Sequence, residues 1–223
     1  MAEWWTVWSS YQLSDLLMFS PAAYARLFER YNVAVWPWQL PMLVAGIALM
    51  WSSRRARPAP WSWLVLAAAW AWVAWAFHWQ RYAQINWAAG WFAAGFALQA
   101  LLLVLAARRP AAPSSQAWPG LALLAWALFG HPLLTLVSGR SWRGIELFGV
   151  AADPTVLASL GLLLLQRPAA WWLWPIPLLW CAISGATLWT LKAPEALVLP
   201  AAALLSLALL LRFGLGTRHP ASR

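Results

Sequence analysis

Charge is scarce in this chain. Only 9% of its 223 residues are Asp, Glu, Lys or Arg, against about 25% in a soluble domain. So few polar groups cannot cover a surface exposed to water, which excludes an ordinary soluble fold. Acids are scarcer still, six against 15 basic residues, for a formal net charge of +9. Nucleic-acid binding does not follow, because the basic residues lie in short turns rather than along one face or helix. Cys181 is the sole cysteine, inside an apolar run, which excludes an internal disulfide and any cysteine-based metal site. The start, MAEWWTVWSS, lacks the positive stretch of a cleaved signal peptide and is expected to be retained. No glycine-rich phosphate loop, GxSxG elbow or HExxH is present, so no cofactor is expected. One Lys against 14 Arg, with abundant Ala and Trp, is the composition of a GC-rich bacterial genome.

What the chain has is hydrocarbon: 63% of residues are hydrophobic and mean hydropathy is +0.63. A spanning helix needs about 20 mostly apolar residues. Candidates are Val33–Trp51, Trp61–Gln80, Trp87–Ala106, Trp118–Ser138, Ala169–Leu191 and Pro194–Leu211. The segment Pro154–Gln166 is shorter, about 20 Å at 1.5 Å per residue, against a hydrocarbon core of about 30 Å. Counting it as a crossing sorts the charges. Arg54, Arg55, Arg57, Arg108, Arg109, Arg167, Arg212, Arg218 and Arg223 fall on one side. Arg26, Arg30, Arg81, Arg140, Arg143 and Lys192 fall on the other, with all six acids. The positive-inside rule then places the N-terminus outside and the C-terminus in the cytoplasm. The expected fold is all-α: a transmembrane bundle of seven helices, the fifth short, in a bacterial cytoplasmic membrane. Residues 1–223 read as a single membrane domain. It comprises an outer interfacial segment over 1–30, the bundle over 31–212 and a cytoplasmic tail over 213–223.

Within 1–30, Ser20 and Pro21 suit an N-cap and first helical position. Leu27, Phe28 and Tyr31 share a helical face, while Arg26, Glu29 and Arg30 can face water. This predicts an amphipathic surface helix, either a collar on the membrane or a lid over an outer cavity. Pro37 and Pro41 are expected to kink the first span. Trp61, Trp63, Trp118, Trp171, Trp172 and Trp174 mark inner helix ends, and Trp79, Trp87, Trp91, Trp142 and Trp189 outer ends, as an aromatic belt does. Deeper tryptophans, Trp70, Trp72, Trp75, Trp126 and Trp180, need partners for their indole N–H groups. The small residues opening the third span, from Ala88 to Gly95, suit close helix contact.

Polar groups inside spans are functional suspects because burying them is unfavourable. His78 and His131 lie in the outer halves of the second and fourth spans, and Pro132 is expected to break or bend the fourth. No HxxxH, HxxE or cysteine pair points to a metal, and none is expected. Asp153 and Pro154 read as cap and first residue of the short fifth helix. Either the bilayer thins locally, or GVAA completes that helix, or the preceding GIELFGVAA descends as non-helical backbone, tolerated only inside protein or beside a wet cavity. On the last reading an outer-facing pocket follows, with Asp153 at its floor, paired with Arg81, Arg140 or Arg143. In FHWQRYAQINW, Trp79, Tyr82 and Trp87 are expected to anchor at the interface while His78, Arg81 and Asn86 face inward. Glu146, Lys192 and Glu195 complete the candidate ligand-binding set.

The strings LSDLLMFSPAAYARLFERYNVAVWP, FHWQRYAQINWAAGWFAAGFALQALLL, DPTVLASLGLLLL and PIPLLWCAISGATLWTLKAPEALVLP together resemble an uncharacterised bacterial family. It is a membrane domain of unknown function, some of whose members carry a permease label. The resemblance implies a multi-pass bacterial membrane protein and supplies no site residues. Three functions remain open. One is a permease or small-molecule-binding protein with an outer-facing polar pocket. Another is an assembly subunit packed against a larger membrane complex or a second copy. The third is a membrane-embedded enzyme acting on a lipid or isoprenoid, with His78 or His131 as acid–base. Membrane lipid is the partner expected in every case.

Overall fold

Ser20 and Pro21 open the first helix as their chemistry predicts. The Ser20 hydroxyl accepts from the Ala23 amide at 3.2 Å, and Pro21 takes the first position of α1, Pro21–Ala34. This computed structural model describes residues 17–54, 59–109, 117–166 and 170–215. Arg55, Arg57, Arg167, Arg218, Arg223, Glu3 and Asp15, all used in the charge argument, lie outside them. Seven further helices follow: α2 Gln39–Ser53, α3 Pro60–Trp72, α4 Ala89–Ala107, α5 Trp118–Val137, α6 Ala152–Leu165, α7 Pro175–Thr190 and α8 Val198–Leu215. Among the described residues there is no strand.

Each of α2–α8 corresponds to one expected span, and the apolar helices are those of a membrane protein. Four segments are long and apolar enough to cross a bilayer alone: Pro60–Gln84, Ala89–Ala107, Trp118–Val137 and Trp171–Thr190. The pair α1 and α2 is bent by 94°, so α1 lies across the bundle end rather than extending the first span. The break falls at Pro37, so the kink expected there is a full bend between α1 and α2, whereas Pro41 kinks nothing. Pro37 sits in the turn between α1 and α2, and Pro41 in the first turn of α2, where a missing N–H is harmless. Pro194 likewise starts no helix; it precedes α8 in the 191–197 turn.

The short helix is the pillar of the fold. All 14 residues of α6 are buried, and at about 1.5 Å per residue the helix is roughly 21 Å long. Gly120 of α5 and Gly161 of α6 let the two backbones touch. A Cβ on either glycine would meet the other's carbonyl oxygen at 2.6–2.7 Å. Small residues at such crossings permit the close packing that apolar helices need in lipid.

The chain reaches α6 as expected, through non-helical backbone. From Gly139 to Ala151 only the single turn Trp142–Gly144 is helical, and Glu146, Phe148, Val150 and Ala151 are buried. Buried backbone must find partners, and α1 supplies them. Asn32 Nδ2 donates to the carbonyls of Arg143 (2.7 Å) and Ile145 (2.9 Å), and the Tyr31 hydroxyl donates to that of Val150 at 3.0 Å. The Gly149 amide donates to Thr155 Oγ1 at 2.9 Å. Gly149 adopts φ +74°, a left-handed conformation that glycine takes without strain. These contacts pack α1 onto the descending segment.

Three of the deep tryptophans have their partners. Trp70 Nε1 donates to Ser159 Oγ (2.8 Å), Trp72 Nε1 to the Tyr31 hydroxyl (3.1 Å) and Trp180 Nε1 to Asp153 Oδ1 (2.8 Å). Trp75 and Trp126 instead face outward. Most belt tryptophans are exposed, but Trp63 and Trp174 are buried and serve the core. Tyr82 is also a correction. Rather than anchoring at the interface beside exposed Trp79 and Trp87, it is buried among Phe19, Tyr24, Phe77 and Phe92.

Candidate functional site

Four of the eight candidate residues meet beneath α1. His131 lies on α5, Glu146 on the descending segment, Asp153 in the first turn of α6 and Glu195 in the α7–α8 turn; all four are buried. One ligating atom from each of His131, Glu146 and Asp153 lies within 4.8 Å of the others. Arg140 ties the group together. Its Nη1 donates to Glu146 Oε1 at 2.7 Å and to Glu195 Oε1 at 3.4 Å, and its guanidinium lies over the Phe28 ring of α1 at 5.0 Å. His131 Nε2 stands 3.4 Å from Glu146 Oε2, long for a hydrogen bond.

Asp153 departs from expectation twice. It does not cap α6: the helix begins at Ala152, the cap position is Ala151, and no side chain caps the end. Nor is its partner an arginine. Trp180 Nε1 donates to Oδ1 at 2.8 Å and the Ser184 hydroxyl to Oδ2 at 2.7 Å, both from α7. Both carboxylate oxygens are thus held by neutral donors, leaving the guanidinium of Arg140 to Glu146 and Glu195. The α7 spacing Trp180-x-x-x-Ser184 puts both donors on one face. That pairing was hidden because Trp180 and Ser184 each look like ordinary packing residues.

Both candidate histidines, His78 and His131, stand at π-helical turns, a rare geometry common at functional sites. His78 lies within the π-helix Val73–Trp79 that continues α3, and His131 directly follows the π-helix Trp126–Gly130 inside α5. The helix runs on through Pro132 without a break, but its α geometry gives way to the π turn in the residues just before the proline. His78 is fully buried and neither ring nitrogen has a hydrogen-bond partner. Its ring packs against Phe96 (4.5 Å) and Trp180 (4.9 Å). Trp180 therefore bridges His78 to Asp153, but His78 stays outside the ion-paired group.

The remaining candidates sit nearer the surface. Arg81 is half-buried at the end of the π-helical stretch, and half-buried Asn86 accepts from the Ala88 amide at 2.9 Å, an ordinary turn-stabilising role. Lys192 is exposed, with φ 57°. It lines a cavity of about 260 Å³ together with Pro21, Tyr24, Ser138, Arg140 and Glu195. This cavity is the vestibule of the site. Arg140 and Glu195 are in its lining and Arg140 reaches Glu146, but Asp153, expected on a pocket floor, is not among the lining residues.

The electrostatics of the connection follow from these contacts. Burial alone would raise the Glu146 carboxyl, but Arg140 at 2.7 Å and the adjacent His131 outweigh burial and hold it below the usual carboxylate range. Glu146 is thus an ion at any ordinary pH.

No curated protein and no solved structure matches the chain. One family does, over residues 22–219, from α1 to beyond the end of α8 and through every residue of the site. On that match the chain belongs to the family of unknown function DUF6064.

Proposed function

We propose that the protein is a permease-type, small-molecule-binding protein of the bacterial cytoplasmic membrane. The α1 end of the bundle faces outside and the C-terminus lies in the cytoplasm. The carrying observation is the vestibule lined by half-buried Arg140 and its buried partner Glu195, backed by two further buried carboxylates. Intramembrane ionisable groups are retained chiefly for function. Arg140 and Lys192 set against Glu195 suit a small solute bearing both an acidic and a basic group. The orientation rests on the positive-inside rule: among the described residues the end opposite α1 carries Arg54, Arg108, Arg109 and Arg212 and no acid.

Thermal stabilisation of the purified protein by a panel of zwitterionic, amine and carboxylate solutes tests the reading. At least one zwitterion is expected to raise Tm in a saturable way, and Glu195→Gln to abolish that rise. A wild-type protein indifferent to the whole panel would refute the binding reading. A reporter fused after Arg223 is expected in the cytoplasm, and one found outside overturns the orientation.

A further inference from the structure

We propose that His131, Glu146 and Asp153 form a binding site for one divalent metal ion of the zinc class. The inference stands on the buried group itself and does not depend on the solute reading of the vestibule. Three separate elements deliver one imidazole and two carboxylates to a single point, with ligating atoms within 4.8 Å of one another. Donors around a tetrahedral zinc stand about 3.4 Å apart at bond lengths of about 2.0–2.2 Å. Bringing donors no more than 4.8 Å apart to that separation requires them to approach by at most about 1.4 Å. An imidazole with carboxylates suits zinc or a neighbouring transition ion better than magnesium or calcium, which take oxygen donors alone.

Three further observations support an ion. His131 is almost fully buried, yet Nδ1 has no partner and Nε2 has only the 3.4 Å contact to Glu146. An imidazole so poorly satisfied at this depth is unfavourable, and a metal bond at one nitrogen removes half of the deficit. Charge points the same way. Within the group Glu146 is paired with Arg140, whereas Asp153 has only the neutral donors Trp180 and Ser184. A cation there would supply the charge partner that Asp153 lacks. Finally, the two carboxylates are already oriented by groups outside the donor set, Glu146 by Arg140 and Asp153 by Trp180 and Ser184. Such supporting contacts fix ligand geometry in metal sites.

The spacing of the three donors explains why the sequence hides them. His131, Glu146 and Asp153 form no short motif, and only the descent of 138–151 folds them together.

The test uses the full chain, purified without a histidine tag and without chelator, and counts metal by mass spectrometry. About one zinc-class ion per chain is expected, retained through gel filtration. Chelation is expected to lower Tm, and Zn²⁺ but not Mg²⁺ to restore it. His131→Ala and Asp153→Asn are each expected to weaken zinc binding at least about tenfold, while Glu195→Gln keeps the metal. Less than about a tenth of an ion per chain after zinc addition, with a Tm indifferent to chelator, would sink the site. So would full occupancy in both ligand variants. The wild-type chelation measurement decides the matter even where a variant fails to fold. Because the solute test turns on Glu195 and this one on His131 and Asp153, the two proposals can fail separately.

Discussion

Arg140 at the α1 end and the arginines at the other end are used in opposite ways. At the α1 end Arg140 is drawn under α1, half-buried, and holds two buried carboxylates. At the other end Arg54 and Arg109 stay at the surface and lie over aromatic rings, Arg54 over Trp51 at 4.5 Å and Arg109 over Trp172 at 5.1 Å. All the described acids, Glu29, Glu146, Asp153 and Glu195, belong to the α1 end. Arg140 goes below the surface together with its counter-ions, whereas an arginine left at the surface has water and needs only a neighbour. The first arrangement builds a site. The second orients a chain.

If the contrast is real, the largest loss comes from Arg140. Replacing Arg140 by Met keeps the volume and leaves Glu146 and Glu195 buried without their cation. Breaking a buried ion pair from one side is unfavourable by about 3–5 kcal/mol, and a melt in detergent should show a correspondingly large fall in Tm. The pH dependence sharpens this result. The depressed Glu146 carboxyl contributes stability that is full above its ordinary value of 4.5 and drains away as pH falls below it. Wild type should therefore lose stability on acidification from pH 5 towards pH 3, and Arg140→Met should lose less over the same interval. Parallel curves for the two proteins would remove Arg140 from the account.

Gly161→Val comes next. Its side chain would press on the Gly120 carbonyl, already 2.7 Å from a Cβ there. Overpacking typically destabilises by about 1–3 kcal/mol, and the upper end is expected because a backbone atom cannot rotate away. Gly95→Val on α4, where a Cβ meets nothing within 4 Å, is the control and should melt like wild type.

Tyr31→Phe is a smaller perturbation. It removes one hydroxyl that donates to Val150 and accepts from Trp72. A single hydrogen bond contributes about 0.5–1.5 kcal/mol net. The informative readout is local: amide exchange at Val150 and Ala151 should speed up more than exchange along α6. Uniform acceleration along both segments would mean that α1 does not pin the descending segment.

Much of this was legible in the residues, for identifiable reasons. The spans follow from uninterrupted apolar runs, and α1 from Ser20, Pro21 and the spacing of Leu27, Phe28 and Tyr31. The shortness of α6 announced the non-helical descent, since a buried chain that is too short must arrive some other way. The partners of Asp153 were not legible. Charge complementarity pointed to an arginine, but Trp180 and Ser184 were closer in space and their identities carry no such signal. Pro132 signalled an irregularity in α5, and the π turn before it is the form that irregularity takes. Glu146 and Glu195 were suspects only as rare acids, and nothing linear could tell that Arg140 would bind both.

The smallest effect belongs to the opposite end. Arg109 is exposed, and a guanidinium over an aromatic face contributes about 0.5–1 kcal/mol at such a site. Arg109→Ala should therefore move the melt by no more than that, several-fold less than Arg140→Met. Its consequence should appear during insertion instead, because basic residues near span ends decide which loops stay in the cytoplasm. Removing Arg108 and Arg109 together halves the basic residues described at that end, leaving Arg54 and Arg212. A reporter placed in the α4–α5 connection is expected to show a mixed orientation for the double variant and a single one for wild type. A large fall in Tm with no change in orientation would show that these arginines hold the fold together as Arg140 does, and the contrast between the two ends would collapse.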